Sequence, residues 1–255
     1  MAEVRYKALL VGNSRFPVDR ANLPPLEGPV NDIARLAEAL THKEAGLFEA
    51  GDVRLVPERS MAEVLGEAGD FFAAAGRDDR LLFYYSGHGR LNERNVLYLC
   101  ASDTRCDRLL STAIGARALG EMIDASAAAA TMVLLDCCHS GAFKGGSLSA
   151  SLEGRGRFIL TSCRGAELAN DADQLNHTSL FTKHVIDGLL GGAGDGDDDG
   201  FTDLDDLYDY VHQRLREERR QSPERSFSGG GVVAIARRSR PAHEVAAAVE
   251  APPVA

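Results

Sequence analysis

The run "TMVLLDCCHSG", residues 131–141, decides how this chain is read. Apolar residues follow one another without polar alternation from Met132 to Leu135, as in a strand covered on both faces. An acid, two thiols and an imidazole then arrive together. Upstream, "RLLFYYSGHG", residues 80–89, has the same shape, an apolar stem with a chemically loaded end. Plainer runs of the same kind are "YKALLVG" from Tyr6, "RFILTSC" from Arg157 and "GVVAIA" from Gly231, with a weaker one, "DVRLVP", from Asp52.

Between these runs lie helix patterns. "NDIARLAEALT" places apolar residues at 33, 36, 37 and 40 behind Asn31, read as its N-cap. "SMAEVLGEAGDFFAAAG" opens on Ser60 with Glu63 three residues on, a capping-box spacing. "GARALGEMIDAS", "SLFTKHVIDGLLGG" and "DLDDLYDYVHQRLREERR" follow the same rule. Strands alternating with helices predict right-handed crossovers and a mostly parallel sheet. The chain has 255 residues and 44% hydrophobic content, which suits one α/β domain, assigned to residues 1–238. Residues 239–255 are Ala/Pro-rich without a core pattern and read as a tail or linker.

Composition excludes several function classes. No apolar stretch reaches the length of a membrane span, and the N-terminus lacks a signal-peptide pattern. The five cysteines are odd in number and scattered, which points to a reducing cytoplasm. The formal charge is −10, but eight aspartates fall between 195 and 209, so the acidity is local. No basic patch suggests a nucleic-acid partner, and "VGNSRF" lacks the pattern of a phosphate loop.

Open parallel sheets react at the carboxyl ends of their strands. His88 ends one strand and Cys138 another, 50 residues apart in sequence. A nearby imidazole takes the proton of a thiol and so creates the attacking thiolate. Gly89, directly after the histidine, offers an N–H to a developing oxyanion. Residues two apart on a strand point the same way, which sets Ser86 beside His88 and Asp136 beside Cys138.

"YYSGHG" and "DCCHSG" resemble the two signatures of the caspase-like cysteine peptidases, nearest to metacaspases and bacterial caspase-like proteins. A histidine about 50 residues before the cysteine is a feature of that family. The resemblance extends over "KALLVGNSRF", "LPPLEGPVNDIARLAEAL", "NHTSLFTKHVIDGLLGGA" and "QSPERSFSGGG", most of the chain from Tyr6 to about Arg237. It implies a caspase-like three-layer α/β/α sandwich with a mostly parallel six-stranded sheet. It also implies a cysteine endopeptidase whose nucleophile is Cys138 and not the adjacent Cys137. His88 is then the base, and the N–H groups of Gly89 and Cys138 form the oxyanion hole. No cofactor is required for that chemistry. Asp32, Ser86 and Asp136 match the acidic pocket of metacaspases, which cut after Arg or Lys. A carboxylate pair favours a guanidinium and repels an acid, so the expected partner is a protein or peptide with a basic residue at P1. Pro29 replaces a cysteine common in that stretch of the family. Relatives of this kind are often bacterial effectors in defence or cell-death signalling, joined to a sensor domain or held until a signal arrives. The alternatives are a catalytically silent scaffold of the same shape and a hydrolase or transferase of another class.

Two segments carry further expectations. "DGDDDGFTDLDD" matches the spacing of an EF-hand loop, with Asp195, Asp197, Asp199, Asp203 and Asp206 as calcium ligands. The competing reading is an acidic loop that caps the helix after it. "FKGGSLSASLEGRGR" is Gly/Ser-rich, and the resemblance places an inter-subunit linker there. Lys144, Arg155 and Arg157 are its candidate self-cleavage positions. Cys100, Cys106 and Cys163 read as structural thiols.

Overall fold

The computed structural model describes residues 4–137, 152, 154, 156–162, 178–218, 223–228 and 232–238. Its elements, in chain order, begin with β1 (Tyr6–Gly12), α1 (Pro29–Leu40), β2 (Val53–Pro57), α2 (Met61–Ala73) and β3 (Arg80–Ser86). Then come β4 (Gly89–Leu91), β5 (Leu97–Cys100), the short α3 (Leu109–Thr112), β6 (Ala113–Gly115), α4 (Ala116–Ala125), β7 (Ala130–Asp136) and β8 (Arg157–Thr161). The last are α5 (Leu180–Asp187), β9 (Phe201–Asp203), α6 (Leu204–Glu217), β10 (Glu224–Ser228) and β11 (Ala234–Arg237).

A six-stranded sheet runs in the order β10-β8-β7-β3-β1-β2. All pairs are parallel except β10 with β8. The strands lack polar alternation because both faces are covered. Ala8, Leu10, Leu82, Tyr84, Met132, Leu134, Phe158 and Leu160 meet α1, α5 and α6 on one side. Leu9, Val11, Leu81, Phe83, Tyr85, Val133, Leu135 and Ile159 meet α2 and α4 on the other. These are the three layers expected. Gly12 is needed for the first of them: a Cβ there would lie 2.5 Å from the Pro29 oxygen, so only glycine lets α1 close on β1.

Helix starts follow local chemistry. The capping box at α2 is present, with Ser60 Oγ accepting the Glu63 N–H and the Glu63 carboxylate accepting the Ser60 N–H at 2.9 Å. The expected N-cap of α1 is corrected: the helix begins earlier, with Gly28 at the cap and Pro29 in the first turn. Asn31 therefore lies inside the helix and donates through Nδ2 to Thr178 Oγ1 at 2.9 Å.

The last strand is also corrected. The described residues of "GVVAIA" do not join the main sheet; β11, which begins within the run at Ala234, pairs antiparallel with β9. The run is apolar because Val233, Ile235 and Ala236 pack into the layer that holds α6. The sixth strand is the polar "ERSFS" of β10. No helix among the described residues is long and apolar enough to cross a membrane.

Candidate active site

β3 and β7 are parallel neighbours, and their register pairs Ser86 with Asp136 at the carboxyl ends. Both side chains belong to the face that carries Tyr84 and Leu134 lower down, because parity is kept along each strand. Their surroundings are polar but dry. Ser86 is 2% exposed and Asp136 4% exposed, and Asp32, from the first turn of α1, is fully buried beside them.

Hydrogen bonds tie the three together. Asp32 Oδ2 accepts the Ser86 hydroxyl at 2.7 Å, and Asp32 Oδ1 accepts the Ser179 N–H at 2.8 Å. Asp136 Oδ2 accepts the hydroxyls of Ser179 and of Thr182, the latter at 2.7 Å. Burial, together with the Asp136 charge, pushes the Asp32 carboxyl up to about 7. Burial likewise raises Asp136, against the pull of the hydroxyls around it. Tyr84, beneath the pair, is held well above the ordinary phenol range by burial and by the two acids. No ion pair engages either carboxylate among the described residues.

His88 follows a sharp turn after β3. A Cβ on Gly87 would lie 2.5 Å from the Tyr85 hydroxyl, so the residue before the histidine must be small. That hydroxyl shares its one proton between the carbonyls of His88, at 2.9 Å, and Cys100, at 2.7 Å, fixing the turn from beneath. The imidazole is 8% exposed and lies against Phe16, ring centroids 4.9 Å apart. Its Nε2 is 2.8 Å from the Pro24 carbonyl oxygen. A carbonyl only accepts, so Nε2 carries the proton and the basic lone pair of the neutral ring is on Nδ1. Gly89 opens β4, directly beyond.

Of the adjacent cysteines, Cys137 is 1% exposed and packs in the α2/α4 layer with Leu135. It therefore lies on the opposite face of the sheet from Asp136. Cys138 lies outside the described residues, as do Lys144 and Arg155. Arg157 is placed at the start of β8, only 3% exposed. Its guanidinium donates to the carbonyls of Leu152 at 2.9 Å and Gly120 at 3.2 Å, and pairs with Asp124. In the folded domain its peptide bond is part of the sheet and not of an exposed linker. Cys100 is buried and its thiol is pushed up to about 12 by burial, as an inert structural thiol should be.

The acidic run divides. Asp195, Asp197 and Asp199 each bring a carboxylate oxygen within 4.8 Å of the others. Asp195 also accepts the N–H groups of Asp199 at 3.1 Å and Gly200 at 2.9 Å. Asp203 and Asp206 form a capping box at the start of α6, which is the helix-capping reading of this loop. Asp206 Oδ1 reaches back to the Gly196 N–H at 3.3 Å. The calcium expectation thus rests on three carboxylates, while calcium takes six to eight oxygens.

Sequence reasoning missed Pro24, Ser179, Thr182 and Tyr84. Pro24 contributes only its backbone carbonyl, which no side-chain pattern announces. Ser179 carried a visible signal, a serine directly before an amphipathic helix, but the signal indicated a cap and not a link between two buried acids.

The comparisons agree with this architecture. The family model described as Caspase domain matches residues 5–230. The chain is similar in structure to protein GSU0716 from Geobacter sulfurreducens, with a TM-score of 0.65, 15% identity, and coverage of 93% of this chain and 98% of that one. It is also similar to Caspase-1 from Spodoptera frugiperda, with a TM-score of 0.64, 16% identity, and coverage of 92% and 90%. No curated protein matches it significantly in sequence.

Proposed function

This chain belongs to the caspase-domain family of cysteine peptidases, and from that premise we propose that it is an endopeptidase cutting after Arg or Lys. The observation that supports the specificity is the buried carboxylate pair, Asp32 and Asp136, joined through the N–H and hydroxyl of Ser179 and with no cationic partner among the described residues, beside the ends of the strands that lead to the reactive motifs. A guanidinium is planar, always charged and bidentate toward carboxylates, which suits it to such a pair. An acidic side chain would add a third negative charge to a dry site.

In this reading Cys138 is the nucleophile, since Cys137 is packed in the core. His88 Nδ1 takes the thiol proton while the Pro24 carbonyl holds the Nε2 proton and the ring plane. The thiolate attacks the scissile carbonyl carbon, and the oxyanion is received by the N–H groups of Gly89 and Cys138. His88 gives its proton to the departing amine, leaving a thioester. Water, deprotonated by His88, then attacks the thioester and restores the thiol.

A peptide acyloxymethyl ketone ending in arginine tests this directly. Mass spectrometry should find the peptide bonded to Cys138 in the wild type and absent from Cys138→Ala. Failure to label any cysteine would favour the silent-scaffold alternative.

A further inference from the structure

One residue joins the two acids of the pocket, and no reactive motif contains it. Ser179 donates its N–H to Asp32 at 2.8 Å and its hydroxyl to Asp136. The same hydroxyl accepts the Thr182 N–H at 3.3 Å, so a single side chain caps α5 and serves the pocket. Thr182 Oγ1 adds a contact of 2.7 Å to Asp136 Oδ2 and lies 2.5 Å from the Tyr84 hydroxyl.

The groups facing the pair come from several elements around it. Among the described residues they are Tyr84 and Ser86 on β3, Ser162 after β8, and Ser179 and Thr182 at α5, with Asp32 on α1 and Asp136 on β7 themselves. None is basic. Two like charges in a dry site resist ionising together. Hydroxyl and amide donors offset that resistance only in part, and burial still raises both acids.

We propose that Ser179 is a specificity-determining positioning residue, holding Asp32 and Asp136 as one diacid unit that admits a basic P1 side chain in exchange for a proton. The inference rests on the pocket reading given above. The exchange balances: a cationic side chain enters, one carboxyl ionises, and its proton leaves to solvent. Ser179 promotes that step because its hydroxyl is a donor that strengthens as Asp136 gains charge.

The consequence is a KM that depends on pH through the pocket and not through the thiol. For an arginine peptide, KM should fall about tenfold per pH unit while a proton is displaced, then level off above neutrality. Ser179→Gly removes the hydroxyl, and glycine is itself a tolerated N-cap. At pH 7.5 it should raise KM by roughly 10-fold and move the levelling point to higher pH, with a much smaller change in kcat. Ser179→Thr, which keeps the hydroxyl, should restore both. Thr182→Val removes a second donor to Asp136 without changing the capping residue, and should move KM in the same direction.

The decisive series measures kcat and KM for an arginine peptide from pH 5.5 to 8.5 in the wild type, these variants and Asp136→Asn. A wild-type KM that ignores pH overturns the proton exchange. A Ser179→Gly profile identical to the wild type overturns the role of Ser179; if Asp136→Asn still abolishes arginine preference, the pocket itself stands. Arginine preference that survives Asp136→Asn removes the pocket reading.

Discussion

The stems and the tips of β3 and β7 share one sheet face and obey opposite rules. In the stems, Leu82, Tyr84, Met132 and Leu134 bury mainly apolar surface against α1 and α5. Two residues further along the same face, Ser86 and Asp136 bury an acid network together with Asp32. Apolar burial lowers the free energy of the fold by roughly 1.5–3 kcal/mol per large side chain. Burying two carboxylates with no cationic partner among the described residues does the reverse, because desolvation and mutual repulsion disfavour their charged forms. The stem is built for stability and the tip retains unfavourable electrostatics, which is what the proposed role in receiving a basic side chain requires.

The comparison can be broken at either end, and the largest effect belongs to the tip. Asp136→Asn should lower kcat/KM for an arginine peptide on the order of 100- to 1000-fold, since it removes one partner of a buried charged contact. Steady-state assays on the purified variant check this, and a loss under threefold would contradict it. In the stem, Leu134→Ala should cost about 2–5 kcal/mol in urea unfolding. The fraction that remains folded should keep its catalytic constants.

A third effect sharpens the contrast through pH. Asp32 has its folded-state pKa raised above the unfolded value, to about 7. Below about pH 4 both states hold the proton and the fold has the full benefit. As pH rises from there through neutrality, the unfolded chain loses the proton first and stability falls. Asp32→Asn should therefore melt higher than the wild type at pH 8, with the advantage vanishing at pH 4, while arginine hydrolysis is impaired. Calorimetry across that range checks it; equal melting at both ends would mean that the acid is not strained. The smallest effect lies away from the sheet. Asp203→Ala should cost about 1 kcal/mol through the lost N-cap of α6, and to the same extent in a chelator as in calcium if the cap is its role.

Much of this could be read in advance where the signal is carried by side chains over several residues. The apolar stems of β1, β3, β7 and β8 were legible because a strand covered on both faces cannot hide its hydrophobicity. Family motifs drew attention to Asp32, Ser86 and Asp136, which the fold brings together, although the link from Asp32 to Asp136 through Ser179 left no such sign. An edge strand such as β10 is different: Glu224 and Arg225 stand in it beside Phe227, and its pairing with β8 leaves no sequence pattern. The run "GVVAIA" misled because burial under a helix layer and burial in a sheet select the same residues. Asn31 misled as a cap because Pro29, two residues earlier, already fixes the first turn. The Pro24 carbonyl that orients His88 leaves no side-chain trace at all.

The central claim is that a buried diacid at the strand ends selects a basic residue beside a Cys138–His88 couple. Its most direct test is a positional scan of P1 in fluorogenic peptides, with the wild type beside Cys138→Ala. The account predicts hydrolysis after arginine and lysine that disappears in the variant, and none after aspartate. Cleavage after aspartate with arginine ignored would contradict it.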